Sequence, residues 1–287
     1  MCQWGRFRLT HFGGGMNYFI EGIQGAGKST LVSRMAEKLP EYRVFREGDY
    51  NPVELAWCTY MNEEQYGETL KKYPLLADEI RAKTMVERDA DTEEKHYVLT
   101  YTRVITDVSG FHKEMEQYEI YNGRIEKDEF EKIILSRFAK WKGQKQIFEC
   151  SLFQNIVENQ ILFYEMPEEE ILEFYRRLAE VICDRDFRIL YLDAENEAEN
   201  LDIIRKERVD AEGNEMWFPL MMGFLEESPY GKRHGLKGFD DLVAHLKHRR
   251  TLEKRILKEV FPENAVLIMS KAYEMEQILR DTGAGFD

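Results

Sequence analysis

The segment Gly22-Ile23-Gln24-Gly25-Ala26-Gly27-Lys28-Ser29 fits the pattern G-x-x-x-x-G-K-[ST] at every required position. Few local patterns constrain a fold as tightly. Its glycines let backbone N–H groups turn inward around phosphate oxygens. Lys28 is placed to reach the β- and γ-phosphates of a nucleotide, and the Ser29 hydroxyl to bind Mg²⁺. The loop works only between a strand and a helix, and both flanks comply. Asn17–Glu21 reads as a short strand. Ser29–Leu39 reads as a helix with Leu31, Met35 and Leu39 on one face, stopped by Pro40. The dipole of that helix adds to the pull on an anion. Gly22, Gln24, Gly25, Ala26, Gly27, Lys28, Ser29 and Thr30 are therefore the candidate ligands of a nucleoside triphosphate, expected to be ATP with Mg²⁺.

The pattern downstream continues in kind. Tyr42–Phe45 reads as a second strand, and Pro52–Tyr60 as a re-entry into helix. From about 63 to 142 the chain turns helical and very polar, with recurrent tyrosines and an acidic stretch around 89–95. Gln146–Glu149 reads as a buried strand, Ser151–Tyr164 and Glu168–Cys183 as helices, and Phe187–Leu192 as the clearest core strand. Glu195–Arg208 reads as a helix, 211–238 as a glycine- and proline-rich loop, Phe239–Val260 as a long helix, and Val266–Met269 as a last strand before a final helix. Strands alternating with helices predict an α/β domain: a three-layer P-loop NTPase fold, its five-stranded parallel sheet covered by helices, with a helical, acidic insertion at about 63–142.

Composition narrows the class of partner. A formal net charge of −14 makes the chain a poor match for polymeric nucleic acid or an anionic membrane surface. It leaves room for a small anion gripped by a few converging cations. The four cysteines, Cys2, Cys58, Cys150 and Cys183, show neither a CxxC pair nor zinc spacing, and a reduced cytoplasmic setting is the simplest expectation. No run approaches the ~20 apolar residues of a membrane span. Residues 1–15 end in three glycines and lack the apolar centre of a signal peptide. They read as a disordered extension, or as sequence ahead of a start at Met16; the folded domain is expected over 16–287.

Glu21 through Thr30 closely resembles the first motif of thymidylate kinases and deoxynucleoside kinases, and looser similarity runs over roughly 16–269. The resemblance implies transfer of the γ-phosphoryl of ATP to a small acceptor, a nucleoside or nucleoside monophosphate. Phe45-Arg-Glu-Gly-Asp-Tyr-Asn-Pro-Val-Glu-Leu-Ala-Trp57 looks like the segment after the second strand of these kinases, where a Glu-Pro pair or Arg-Glu-Pro opens the substrate site. Glu47 stands where that acceptor-facing carboxylate would be, Gly48 replaces the proline, and Asp49 is the other candidate. Ile147-Phe-Glu149-Cys150-Ser151 resembles a third strand ending in Glu-Arg-Ser. It implies that Glu149 helps Ser29 hold Mg²⁺, while Cys150 replaces the arginine. Ile204-Arg205-Lys-Glu-Arg208 after the strand at 187–192 resembles a lid, expected at about 199–238. Its Arg205 and Arg208, three apart on one helix face, would meet charge building on the transferring phosphoryl. His96, Tyr97, Tyr101 and Arg103 fall on the segment, expected to be a helix, where these kinases hold the acceptor. Exposed helices of such kinases often pair, so a homodimer follows from the resemblance alone.

Each candidate has a plainer alternative. Glu47 and Asp49 can be solvated turn residues, and Glu149 a structural carboxylate. Arg205 and Arg208 can be surface ion-pair partners of Glu199 and Glu207, and Tyr97 and Tyr101 core residues. Lys232, Arg233 and Lys237 form the most basic stretch, which grips an anion or is only solvated. Gln154 and Asn155 bind substrate or cap a helix. His245 and His248 share a helix face with no third metal ligand suggested nearby. Two rival functions stay open: a kinase of a sugar-like or antibiotic hydroxyl, and a nucleotide-dependent regulatory module.

Overall fold

The computed structural model describes residues 15–88, 92–210 and 212–282. The expected extension at 1–15 lies, but for Gly15, outside the described residues, as does part of the acidic stretch, 89–91. The strands are β1 (Asn17–Glu21), β2 (Arg43–Phe45), β3 (Thr84–Arg88), β4 (Lys95–Leu99), β5 (Gln146–Glu149), β6 (Phe187–Asp193) and β7 (Ala265–Met269). The helices are α1 (Lys28–Lys38), α2 (Glu63–Lys72), α3 (Ala77–Lys83), α4 (Phe111–Met115), α5 (Lys127–Lys140), α6 (Gln154–Leu162), α7 (Glu168–Val181), α8 (Glu197–Glu207), α9 (Trp217–Glu227), α10 (Pro229–His234), α11 (Gly238–Glu259) and α12 (Met275–Thr282). The described residues fall into two compact units: those up to Val44 together with those from Phe138 onward, and those between Phe45 and Arg137.

The first unit is built on the expected five-stranded parallel sheet, in the order β2-β5-β1-β6-β7. Strand β1 shows why the sheet is covered on both faces. Its side chains alternate, and every one is buried. Tyr18 and Ile20 join Leu31, Val32 and Met35 of α1 in one core. Phe19 points the other way, stacked on Phe148 at 4.9 Å and edge-on to Trp141 and Phe187. The order also fixes where a ligand can bind. The chain leaves β1 through α1 toward β2, and leaves β5 through α6 and α7 toward β6. Adjacent strands β1 and β5 thus send their connections opposite ways, and such a switch point opens a crevice at the carboxyl ends of the strands. Ile20 lies opposite Glu149 at that end. No described helix is long and apolar enough to cross a membrane.

The second unit has its own core, with Met61, Ile80, Leu99, Tyr101, Phe111 and Met115 at its centre. It corrects two expectations. No helix forms over Pro52–Tyr60. The Asn51 side chain accepts from Val53 N and the Glu54 carboxylate from Ala56 N, satisfying backbone donors outside any helix, and Trp57 adopts φ 63. The segment holding His96 and Tyr97 is strand β4, paired antiparallel with β3; Tyr101 and Arg103 follow on a single 3-10 turn.

The expected loop at 211–238 is mostly helix. Ser228 caps α10 by accepting from Gly231 N, Pro229 fills the first position, and Gly235 ends the helix at φ 64. Pro219 lies in the first turn of α9. Proline and glycine here mark helix ends, where a missing N–H costs nothing and a left-handed residue closes the last turn.

Candidate functional site

The glycine loop leaves β1 as the sequence anticipates. Gly22 (φ 137) lies so close to the carbonyl of Leu192 that a Cβ would stand 2.6 Å from its oxygen. Gly25 is pressed against α8: a Cβ there would meet Ile204 Cδ1 at 2.6 Å and the Asn200 carbonyl oxygen at 3.2 Å. Gly27, left-handed, opens α1 without a side-chain cap, and the ladder begins with Leu31 N donating to Gly27 O at 3.1 Å. The amides of the first turn precede that bond and face outward from the helix end. Lys28 Nζ arches back to donate to the carbonyls of Gly22 (2.8 Å) and Ile23 (2.9 Å), and is nearly buried.

Ser29 Oγ donates to Glu149 Oε1, joining the start of α1 to the end of β5 at the switch point. Glu149 is 5% exposed. A hydroxyl and a carboxylate are hard oxygen donors. Mg²⁺ beside a nucleotide takes one or two protein oxygens and completes its shell with phosphate and water, rather than needing an all-protein cage. Among the described residues no three His, Cys, Asp or Glu converge as such a cage. The Ser29–Glu149 pair is the donor set that suits the first arrangement. Cys150 follows in the left-handed region (φ 58), its thiol buried and 3.6 Å from Gln154 Oε1. It offers no positive charge. Asn155 Nδ2 reaches back 3.5 Å to the Cys150 carbonyl.

Behind the loop runs a buried polar network that the sequence reading did not assemble. Glu21 is fully buried, and one carboxylate oxygen accepts from Leu152 N at 2.7 Å. Burial lifts its pKa from 4.5 to about 8, with Glu253 adding to the rise and Lys28 opposing it. Glu253 accepts from the Tyr191 hydroxyl at 2.7 Å and faces Arg249 Nε at 3.0 Å. Arg249 also pairs with Glu158, which His245 Nε2 meets at 2.6 Å. Burial works to raise the Glu158 pKa, but His245 and Arg249 outweigh it and hold it at about 2. The signal was present: His245, Arg249 and Glu253 recur every four residues along the buried stripe of α11. Their partners on α6 and β6 were not readable. His248 instead meets Glu168 at the surface.

Arg205 and Arg208, the arginines of the expected lid, are engaged locally. Arg205 donates through Nε to Glu215 at 2.9 Å, lies 3.7 Å from Asp202, and stacks over Phe218 at 4.4 Å. Arg208 lies over Trp217 at 5.7 Å. Arg233 of α10 pairs with Glu165.

In the second unit, Glu47, Gly48 and Asp49 form a turn against Trp57 and Arg103. Asp49 accepts from Arg46 N at 3.0 Å and from Arg103 Nη2 at 2.7 Å; Arg103 Nε also reaches the Gly48 carbonyl. Glu47 Oε1 faces the Trp57 indole N–H at 3.5 Å, with Trp57 45% exposed. Glu54, given no role from the sequence, is buried in the same segment. Desolvation raises its pKa to about 7, opposed by a Tyr121 hydrogen bond, with Glu47 adding to the rise. Tyr97 and Tyr101, four apart in the segment expected to be a helix, do not share a helix face. Tyr97 stacks on Tyr66 at 4.3 Å, His96 stacks on Tyr60, and Tyr101 is buried with its hydroxyl donating to Glu119 at 2.6 Å. The strand alternation of 95–99 turns neighbouring side chains to opposite faces, and the chain then bends.

No protein-family model matches the sequence, and no curated protein matches it either. Among solved structures the chain is similar to deoxyadenosine kinase from M. mycoides. One such structure, with bound dCTP, is 14% identical over 94% of this chain and 100% of its own, at a TM-score of 0.40. Another, with bound dATP, is 15% identical over 94% and 98%, at a TM-score of 0.36.

Proposed function

We propose that this chain is a Mg²⁺-ATP-dependent phosphotransferase that moves the γ-phosphoryl group to a hydroxyl or phosphate of a small acceptor, a nucleoside or nucleoside monophosphate. The observation that carries the reading is the Ser29–Glu149 hydrogen bond at the switch point, directly beside Lys28 and the open end of α1. In this reading the loop amides of 25–30 and Lys28 hold the phosphates. Lys28 exchanges its two carbonyl partners for phosphate oxygens, a stronger, charge-assisted pairing. Ser29 and Glu149 would hold Mg²⁺, which neutralises charge on the β- and γ-oxygens when bound. Glu47, or failing it Asp49, would handle the acceptor hydroxyl; Asp49 accepts from Arg46 N and Arg103. Arg103 then fixes the turn that presents Glu47, and Trp57 offers an aromatic face for a ring. Arg208, with Arg205 behind it, supplies charge to the transferring group.

The test is ATP consumption by the purified protein against a panel of nucleosides, nucleoside monophosphates and sugar-like or aminoglycoside hydroxyl compounds, with Lys28→Ala alongside. Turnover that requires an acceptor and falls at least ~100-fold in the variant is the expected result, given the stabilisation that a positioned charge supplies in phosphoryl transfer. Acceptor-independent hydrolysis only, or full activity of Lys28→Ala, overturns the assignment.

A further inference from the structure

The phosphate loop does not hold its shape alone. Its tip is touched by two elements far away in sequence: α8, and the turn that follows β7. Ser270 Oγ donates to the carbonyl of Ala26 at 2.7 Å, and Ser270 N donates to the Asp193 carbonyl at 3.0 Å. The next residue, Lys271, adopts φ 61, a left-handed conformation that a side chain as long as lysine rarely takes without support. That backbone turn delivers its ammonium to Asn200 Oδ1 on α8 at 2.9 Å. Asn200 is buried, and its carbonyl lies against Gly25 together with Ile204.

We propose that Ser270 and Lys271 are positioning residues for the donor nucleotide: a clamp that ties the loop tip to α8 and holds the Ala26 carbonyl turned outward. The inference rests on the phosphate-binding reading of the loop. A phosphate cradle needs N–H groups inward and carbonyls outward. The Ala26 carbonyl is the one at the tip, and Ser270 fixes it from outside. Because Lys271 grips α8 from the same turn, the loop and the helix carrying Arg205 and Arg208 are fastened to one point. Neither residue is required to touch substrate; each acts through the backbone it holds.

The experiment is calorimetric titration of the full chain with Mg²⁺ and a non-hydrolysable ATP analogue, and steady-state kinetics for both substrates. Ser270→Ala should weaken analogue binding ~10-fold, the scale of one lost hydrogen bond to a buried carbonyl. It should raise the KM for ATP while leaving the acceptor KM within ~2-fold at saturating ATP. Ser270→Thr, which keeps the hydroxyl, should restore binding. Lys271→Met, at an exposed side chain, should weaken binding ~3-fold, about half the free energy of that bond. It decides the same question should Ser270→Ala fail to fold. Wild-type affinity in both variants that fold overturns the clamp. Absence of analogue binding by the wild-type protein overturns the loop reading, and the clamp with it.

Discussion

Glu21 gives the sharpest quantitative test, because its carboxyl is fully buried at the end of β1 and its pKa is raised from 4.5 to about 8. The native state therefore keeps a proton that the unfolded chain releases. Between those two values the native state binds more protons than the unfolded one, so stability attributable to Glu21 falls as pH rises. The slope is about 1.4 kcal/mol per pH unit, beginning near 4.5 and flattening above 8. Summed from pH 5 to pH 8 the loss is roughly 3–4 kcal/mol. Glu21→Gln keeps an oxygen to accept from Leu152 N and cannot ionise. The variant should match the wild type to within about 1 kcal/mol at pH 5, where the native carboxyl is protonated and ionisation of the unfolded chain has cost the wild type less than about 1 kcal/mol, and exceed it by roughly 3–4 kcal/mol more at pH 8. Urea denaturation of both proteins at half-unit steps from pH 5 to 8.5 reads this as a difference. Glu54 and Glu119, both lifted to about 7 by burial, are common to the two chains and cancel. Parallel stability profiles, with the difference changing by less than about 1 kcal/mol over the range, would refute the claim that burial keeps Glu21 protonated.

Two further outcomes follow from the site. Arg249→Met should cost about 3–5 kcal/mol in the same denaturation assay, because Glu253 would be left buried without its cation and Glu158 with His245 alone. Adding Glu158→Gln should recover part of that loss, and an unchanged midpoint for the single variant would contradict the network. Glu149→Gln should raise the Mg²⁺ concentration for half-maximal turnover at least ~10-fold at fixed ATP, as expected when a carboxylate beside the ion is neutralised. An unchanged Mg²⁺ titration would leave Glu149 a purely structural partner of Ser29.

The local elements of the fold were legible in the chain itself. The glycine loop, α1 and the sheet strands are encoded within a few residues each, by glycine at the backbone positions that need it, by helical spacing and by dense apolar runs. Their parallel arrangement follows from the alternation of strand and helix. The segments misread were those where a local signal has two meanings. Tyrosines four apart at 97 and 101 suit a helix face, yet β-rich 95–99 pairs with 84–88 in a hairpin, and only that pairing decides between them. Proline and glycine at 219, 229 and 235 suit a loop equally well as helix termini. The Glu54 carboxylate takes the Ala56 N–H that a helix over 52–60 would have used, and Trp57 turns left-handed.

What only the tertiary structure decided is who meets whom. The sequence named Lys28, Ser29 and Glu149, but the sheet order brings residue 149 beside residue 29 across 120 positions. The partners of Glu21, the Glu158–His245–Arg249 triad and the Ser270–Ala26 bond join segments whose separation in the chain carries no periodic or compositional trace. A charge or hydroxyl in a sequence states what it can bind; packing excludes water around it and sets which single partner it has. The conformation of the glycine loop was thus written locally, while the protonation of Glu21 and the hold on the loop tip exist only once the core has closed.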